Sequence, residues 1–184
     1  MRFVSLAIVL LSAPPALASD WTLDTSASSV RIETTAFGRP VTGIFSEFDA
    51  SIVLDPENLS DARIAGHVSV ASGDTENPQY NSEMTGRRGL DADNHPLASF
   101  VSTTIAPGEA CEDGFGLCLQ ADGRLTLAGN EQLATLNFRL NIEGERAIAD
   151  GALTVGRDDY GIGNSTWGDA AETVLVYLHI EATR

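Results

Sequence analysis

Lysine is missing from this chain altogether. All 11 basic residues are arginine, set against 26 Asp and Glu, for a formal net charge of −15. Without lysine there is no Schiff-base amine and no phosphate loop of the Gly-Lys-Ser/Thr type. A surface this acidic offers no basic face to a phosphate backbone, which excludes a nucleic-acid binder, and it disfavours adhesion to anionic lipid. Cysteine is scarce, with two residues, and so are histidine, with three, and aromatics, at 7%. No segment approaches about 18 consecutive apolar residues, so no membrane-spanning helix and no stable membrane insertion is expected. The G-x-S-x-G elbow, the H-E-x-x-H zinc pair and the C-x-x-C-H haem site are all lacking, so no catalytic, metal or cofactor motif stands out.

What remains is an ordinary globular composition, 43% hydrophobic and 20% charged over 184 residues, enough for one domain. The first residues read as an address. Arg2 is followed by an apolar run from Phe3 to Leu11 broken only by Ser5, then Pro14-Pro15, then Ala16-Leu17-Ala18. A charged start, a short apolar stretch and an A-x-A site make a secretory signal peptide, and the stretch is too short to span a bilayer. Cleavage after Ala18 is expected, leaving residues 19–184 as the exported domain.

Export implies an oxidising compartment. Cys111 and Cys118 bracket the stretch Glu-Asp-Gly-Phe-Gly-Leu, whose glycines can turn the chain, so a disulfide across a hairpin base is easy to form. Closing so short a loop is worth about 2.5 kcal/mol in the chain-entropy model. Free thiols are the alternative; the spacing is not that of a C-x-x-C redox or metal pair.

Beyond the leader the dominant signal is period two. Val30 and Ile32 alternate with charged neighbours, and from Ile44 to Leu54 the even positions carry Ile44, Ser46, Phe48, Ala50, Ile52 and Leu54. The pattern returns at Ile64–Val70, Leu125–Leu127, Leu136–Ile142 and Val174–Ile180, with Gly, Asp, Asn and Pro between the runs. One apolar face per strand, repeated about eight times, predicts a sheet wrapped around its own apolar side, a barrel or a sandwich. Pro78 to Leu90 breaks the alternation. Pro78 suits a first helical position and Gly86 a stop, so one or two short helices are expected there, capping one end.

Several motifs in order carry a family resemblance. They are Trp21-Thr-Leu-Asp24, Thr42-Gly-Ile-Phe-Ser-Glu-Phe48, Tyr80-Asn-Ser-Glu-Met84, Leu90-Asp91, His95-Pro-Leu-Ala-Ser-Phe100, Arg157-Asp-Asp-Tyr-Gly-Ile-Gly163 and Trp167. Together they resemble the YceI-like family of exported barrels that bind polyisoprenoids. The chain departs from the family where Ser26-Ala27-Ser28 replaces a His-Ser pair, and where Asn81-Ser-Glu-Met84 replaces an Arg-Asp-x-His-Leu stretch. The latter form is associated with members that accompany membrane b-type cytochromes.

The resemblance implies an all-β, antiparallel, lipocalin-like barrel in the periplasm. It implies as ligand a long-chain isoprenoid lipid, a polyisoprenoid or an isoprenoid quinone. The expected ligand-facing residues are Val30, Ile32, Ile44, Phe48, Ile52, Asn81, Met84, Phe100, Phe138, Ile162 and Trp167, with Asn81, Arg87, Arg88 and Arg157 as polar groups for a head at the mouth. The glycines of 161–163 let Ile162 and Trp167 approach such a mouth, or simply pack there.

Alternation alone leaves open whether the interior is hollow or filled by side chains. Two other functions stay in view. One is a partner of a membrane b-type cytochrome that docks through its acidic surface without a ligand of its own. The other is an enzyme built on His67, His95 or His179. Asp91-Ala-Asp93-Asn94 lacks the glycine and distal glutamate of a calcium loop. Monomer and dimer are equally compatible with the sequence.

Overall fold

The computed structural model describes residues 20–109, 116–163 and 167–184. The expected leader, residues 1–18, lies outside them, as does Cys111; Cys118 lies on a strand. Eleven strands form one sheet: β1 (Asp20–Leu23), β2 (Ser29–Ala36), β3 (Arg39–Phe45), β4 (Phe48–Val53), β5 (Arg63–Ser69), β6 (Gly73–Asp74), β7 (Leu97–Pro107), β8 (Leu117–Leu127), β9 (Asn130–Glu143), β10 (Arg146–Gly156) and β11 (Thr173–Thr183). Every pairing is antiparallel, and β1 pairs with both β4 and β11, so the sheet closes on itself.

The register reduces eleven strands to eight positions. β1 and β2 run in succession along β11, through Thr22 opposite Thr183 and Val30 opposite Leu178. β3 and β4 likewise follow one another, pairing with β2 and β1. β5 and β6 pair in turn with β4 and β3. Three broken strands and five continuous ones thus make an up-and-down, eight-position barrel in which each position neighbours the next in sequence. Closure leaves the barrel no open edge to aggregate.

The breaks have consequences for side-chain direction. Within a strand alternate residues face opposite sides, so one extra residue reverses the pattern. Between β3 and β4, Ser46 and Glu47 leave the ladder, and the Glu47 amide is held by Ser72 Oγ at 3.1 Å. Phe45 therefore points inward, 6% exposed, while Ile44 faces out at 52%. The inward set resumes at Phe48. A similar shift at Ser102–Thr104 of β7 puts Ser102 and Ile105, not a simple alternation, on the buried side. Ser102 Oγ there accepts the Ile64 amide at 2.8 Å.

A single helix, α1 (Pro78–Thr85), fills the expected non-alternating segment among the described residues. Asn77 caps it, its side-chain oxygen accepting the amides of Gln79 at 3.0 Å and Tyr80 at 3.4 Å, and Pro78 occupies the first turn. Gly86 ends it. Met84 turns its thioether onto Val30 and Phe45, which docks the helix over one end of the barrel. No helix among the described residues is long and apolar enough to cross a membrane.

Candidate binding site

The barrel is hollow. An elongated cavity of about 500 Å³ follows its axis, within the range typical of ligand pockets. Along β11 the lining is Val174, Val176, Leu178, Ile180 and Ala182, every second residue of the strand. The eight residue-to-residue steps from Val174 to Ala182, at about 3.4 Å each and tilted by about 40° as barrel strands are, correspond to roughly 20 Å of axial length. Facing them are Phe48, Ala50 and Ile52 of β4, Ile64, Gly66 and Val68 of β5, Phe100 of β7, and Leu136, Phe138 and Leu140 of β9. β10 contributes Ala147, Ala149 and Gly151, whose small side chains leave the space their partners do not fill.

One end is shut. Trp21 is buried there, its indole Nε1 donating to the Leu54 carbonyl at 2.8 Å, with the Arg184 guanidinium 4.8 Å above the ring. Ile105, Leu119 and Ala121 pack behind it without reaching the cavity. The opposite end is the mouth, rimmed by Phe37, Gln79, Tyr80, Glu83, Trp167 and Ala170. Phe37 is 64% exposed at the β2–β3 turn.

The mouth is held by polar contacts. Arg157 is 5% exposed, and its guanidinium donates to the carbonyls of Ala171 at 2.8 Å, Ile162 at 2.9 Å and Ala170 at 3.2 Å, and to Asp158 at 3.2 Å. It also lies 5.8 Å from the Trp167 ring. A buried charge is tolerable only when its donors are satisfied, and here one side chain ties down the segment after β10. Trp167 Nε1 donates to Glu83 at 3.2 Å, and Arg88 pairs with the same carboxylate at 3.2 Å. Gly163 has φ of +77°, and a Cβ there would come within 2.5 Å of the Trp167 ring, so glycine is what lets the indole close over the mouth.

Nine of the eleven expected ligand-facing residues line the cavity: Val30, Ile32, Phe48, Ile52, Met84, Phe100, Phe138, Ile162 and Trp167. Two do not. Ile44 is turned outward by the reversal at Ser46–Glu47. Asn81 supports the loop before α1, accepting from Thr75 Oγ1 at 2.6 Å and donating to Asp74 at 2.7 Å, and that carboxyl is held below its usual pKa chiefly by this bond. Arg87 and Arg88 are exposed and stand outside the lining, and Arg157, expected as a free head-group contact, is instead an internal brace. Phe45, Tyr80 and Glu83 also line the cavity; Tyr80 and Glu83 belong to the Tyr80–Met84 motif, but nothing in a helical segment shows which face meets the barrel.

The histidines stand apart from one another. His67 is exposed on β5, and the His95 ring packs beside the β8–β9 turn at Gly129. His179 lies on the outside of β11, its Nδ1 2.7 Å from Asp150 Oδ1. The Asp150 hydrogen bond, with Glu181 nearby, raises its pKa above 6.5 against a smaller effect of burial. Among the described residues no three His, Cys, Asp or Glu side chains gather as metal ligands would.

A closed antiparallel meander around an elongated apolar hollow, with a helix across one mouth, places the molecule among the lipocalin-like barrels. The chain belongs to the YceI-like domain family, whose model matches residues 21–182. It is 29% identical over 150 residues to a UPF0312 protein of Pseudomonas fluorescens, covering 78% of this chain and 75% of that one. A Pseudomonas aeruginosa UPF0312 protein is 26% identical over 196 residues, covering 98% and 95%. Among solved structures, Burkholderia cenocepacia BcnA superposes with a TM-score of 0.80 at 27% identity, over 88% of this chain and 100% of BcnA. A polyisoprenoid binding domain from Saccharophagus degradans, implicated in plant cell wall breakdown, shares the fold with a TM-score of 0.64 at 16% identity, over 91% and 98%.

Proposed function

We propose that this protein is an exported, soluble binder and carrier of a long-chain isoprenoid lipid, a polyisoprenoid or isoprenoid quinone, housed in the barrel. The observation that carries this reading is the cavity: narrow, about 20 Å long and lined by alternate residues of the strands, it suits a long apolar chain. Each buried methylene unit gains ~0.8 kcal/mol against water, but the lipid's other home is the bilayer. Exchange between two apolar surroundings lies near zero, so such a barrel can load and unload. Phe48, Phe100 and Phe138 hold the tail; Met84, Ile162 and Trp167 close over its end.

Export rests on the leader at residues 1–18, with the periplasm as destination, and a Cys111–Cys118 disulfide would pin the β7–β8 connection there. The family match and the polyisoprenoid-binding neighbour support the ligand class. The formal charge of −15 favours, as a second reading, docking on a basic face of a membrane b-type cytochrome. A salt-sensitive pull-down of such a complex supports it; a pull-down indifferent to salt, or none, removes it. The principal reading is tested by organic extraction of protein purified from its host without added lipid. An isoprenoid released in near-stoichiometric amount is the expected result; an empty barrel that also takes up no added quinone would falsify it.

A further inference from the structure

We infer that the barrel selects an isoprenoid whose head is uncharged and donates an O–H, an alcohol or a hydroquinone, over one ending in phosphate or diphosphate. The inference rests on the carrier reading above and sharpens it.

The charges that reach the mouth decide the matter. Asp49 and Glu83 are the carboxylates of the lining, and Glu83 is the one that stands at the rim. It already accepts from Trp167 and Arg88, yet a carboxylate has about four acceptor sites, so it retains capacity for a donor arriving from within. Arg157 is the cation of the lining, and four of its five N–H donors are committed to Ala171, Ile162, Ala170 and Asp158. A phosphate could recruit it only by dismantling the segment it braces. The remaining polar side chains of the lining, Thr34, His67, Thr75, Gln79, Tyr80 and Ser99, include no arginine. Arg39, Arg87 and Arg88 carry charge nearby but are exposed and do not line the cavity. Arg88 is already committed to Glu83 at 3.2 Å, so a phosphate could recruit it only by breaking that pair. A diphosphate would thus meet a like charge at close range, inside a field already set by a net charge of −15. A hydroxyl would instead find an acceptor waiting.

Geranylgeraniol and geranylgeranyl diphosphate share one tail and differ only in the head, so titrating each into the full mature chain isolates the effect. Calorimetry and tryptophan fluorescence are the readouts. The alcohol is expected to bind at least tenfold more tightly. Glu83→Gln keeps an acceptor for Trp167 while removing the charge, and should narrow the gap severalfold by strengthening diphosphate binding. Equal or tighter binding of the diphosphate by the wild-type chain overturns the inference, as does a ratio that Glu83→Gln leaves unchanged. Failure of both ligands to bind strikes instead at the carrier reading itself.

Discussion

Trp167 Nε1 donates to the Glu83 carboxylate at 3.2 Å, joining the segment after β10 to helix α1 across the mouth of the barrel. Eighty-four positions separate the two residues, so the bond ties together parts of the chain that approach only in the closed barrel. A hydrogen bond to a charged group is worth about 1.5–3 kcal/mol, less where solvent reaches it. Trp167→Phe preserves an apolar ring and removes the donor. Ligand release from that variant, followed by stopped-flow transfer to vesicles, is expected to quicken about tenfold, while the barrel still takes up one ligand. Unchanged release would mean that the helix does not gate the mouth.

Arg157 makes the second link on that side. Replacing it by Met keeps volume but abandons the carbonyls of Ala170, Ala171 and Ile162. Each buried group left unpaired costs about 1–3 kcal/mol. Only the Ile162 carbonyl is fully buried, the other two being partly so, which holds the total to about 2.5 kcal/mol. Thermal unfolding of Arg157→Met should therefore shift downward by roughly 5–10 °C, taking about 2–4 °C per kcal/mol for a domain of this size. A shift under about 2 °C would show that the segment holds itself.

Gly66 offers a way to fill the hollow without disturbing its walls. A Cβ built there meets nothing nearer than the Asp49 carbonyl at 3.7 Å and the Ala50 Cβ at 3.8 Å. Gly66→Val suits an extended backbone and projects two methyls into the cavity. Stability is expected to stay level or rise by about 0.5 kcal/mol, since glycine in a strand carries an entropic penalty. Uptake of a long isoprenoid should fall at least tenfold while a short one still enters, as read by competitive titration. Undiminished uptake of the long chain would place the ligand elsewhere.

His179 provides a pH dependence independent of the ligand. Its folded pKa is raised, chiefly by the Asp150 bond, so protonated His179 stabilises the fold. That contribution is fully present below the unfolded value of about 6.5 and disappears as pH climbs through the raised one. The side chain is 40% exposed, which keeps the effect small. The melting-temperature difference between wild type and His179→Gln should be largest near pH 5 and vanish by about pH 9. A difference that grows with pH would contradict the assignment.

Much of this was readable beforehand because period two survives wherever the inward residues are large. Val174 to Ile180 and Leu136 to Ile142 declare their faces directly. The first half of β10 does not, since its inward Ala147, Ala149 and Gly151 are small while Ile148 points out, so hydrophobicity there carries the wrong phase. Ile44 was read as inward for a related reason: nothing local announces that Ser46 and Glu47 leave the ladder and reverse the count. Arg157 reads as a head-group contact at the mouth because its actual partners are backbone carbonyls, which have no sequence signature. Whether the barrel was hollow depended on how Gly66, Ala50 and Ala149 sit opposite one another, a property of register rather than of any single strand.

Native mass spectrometry of the mature chain, after incubation with vesicles containing a long isoprenoid alcohol, measures occupancy of the barrel in one step. A single added mass equal to one lipid per chain, much reduced in Gly66→Val, is the predicted spectrum. A bare protein mass under the same conditions, in both wild type and variant, would contradict the account.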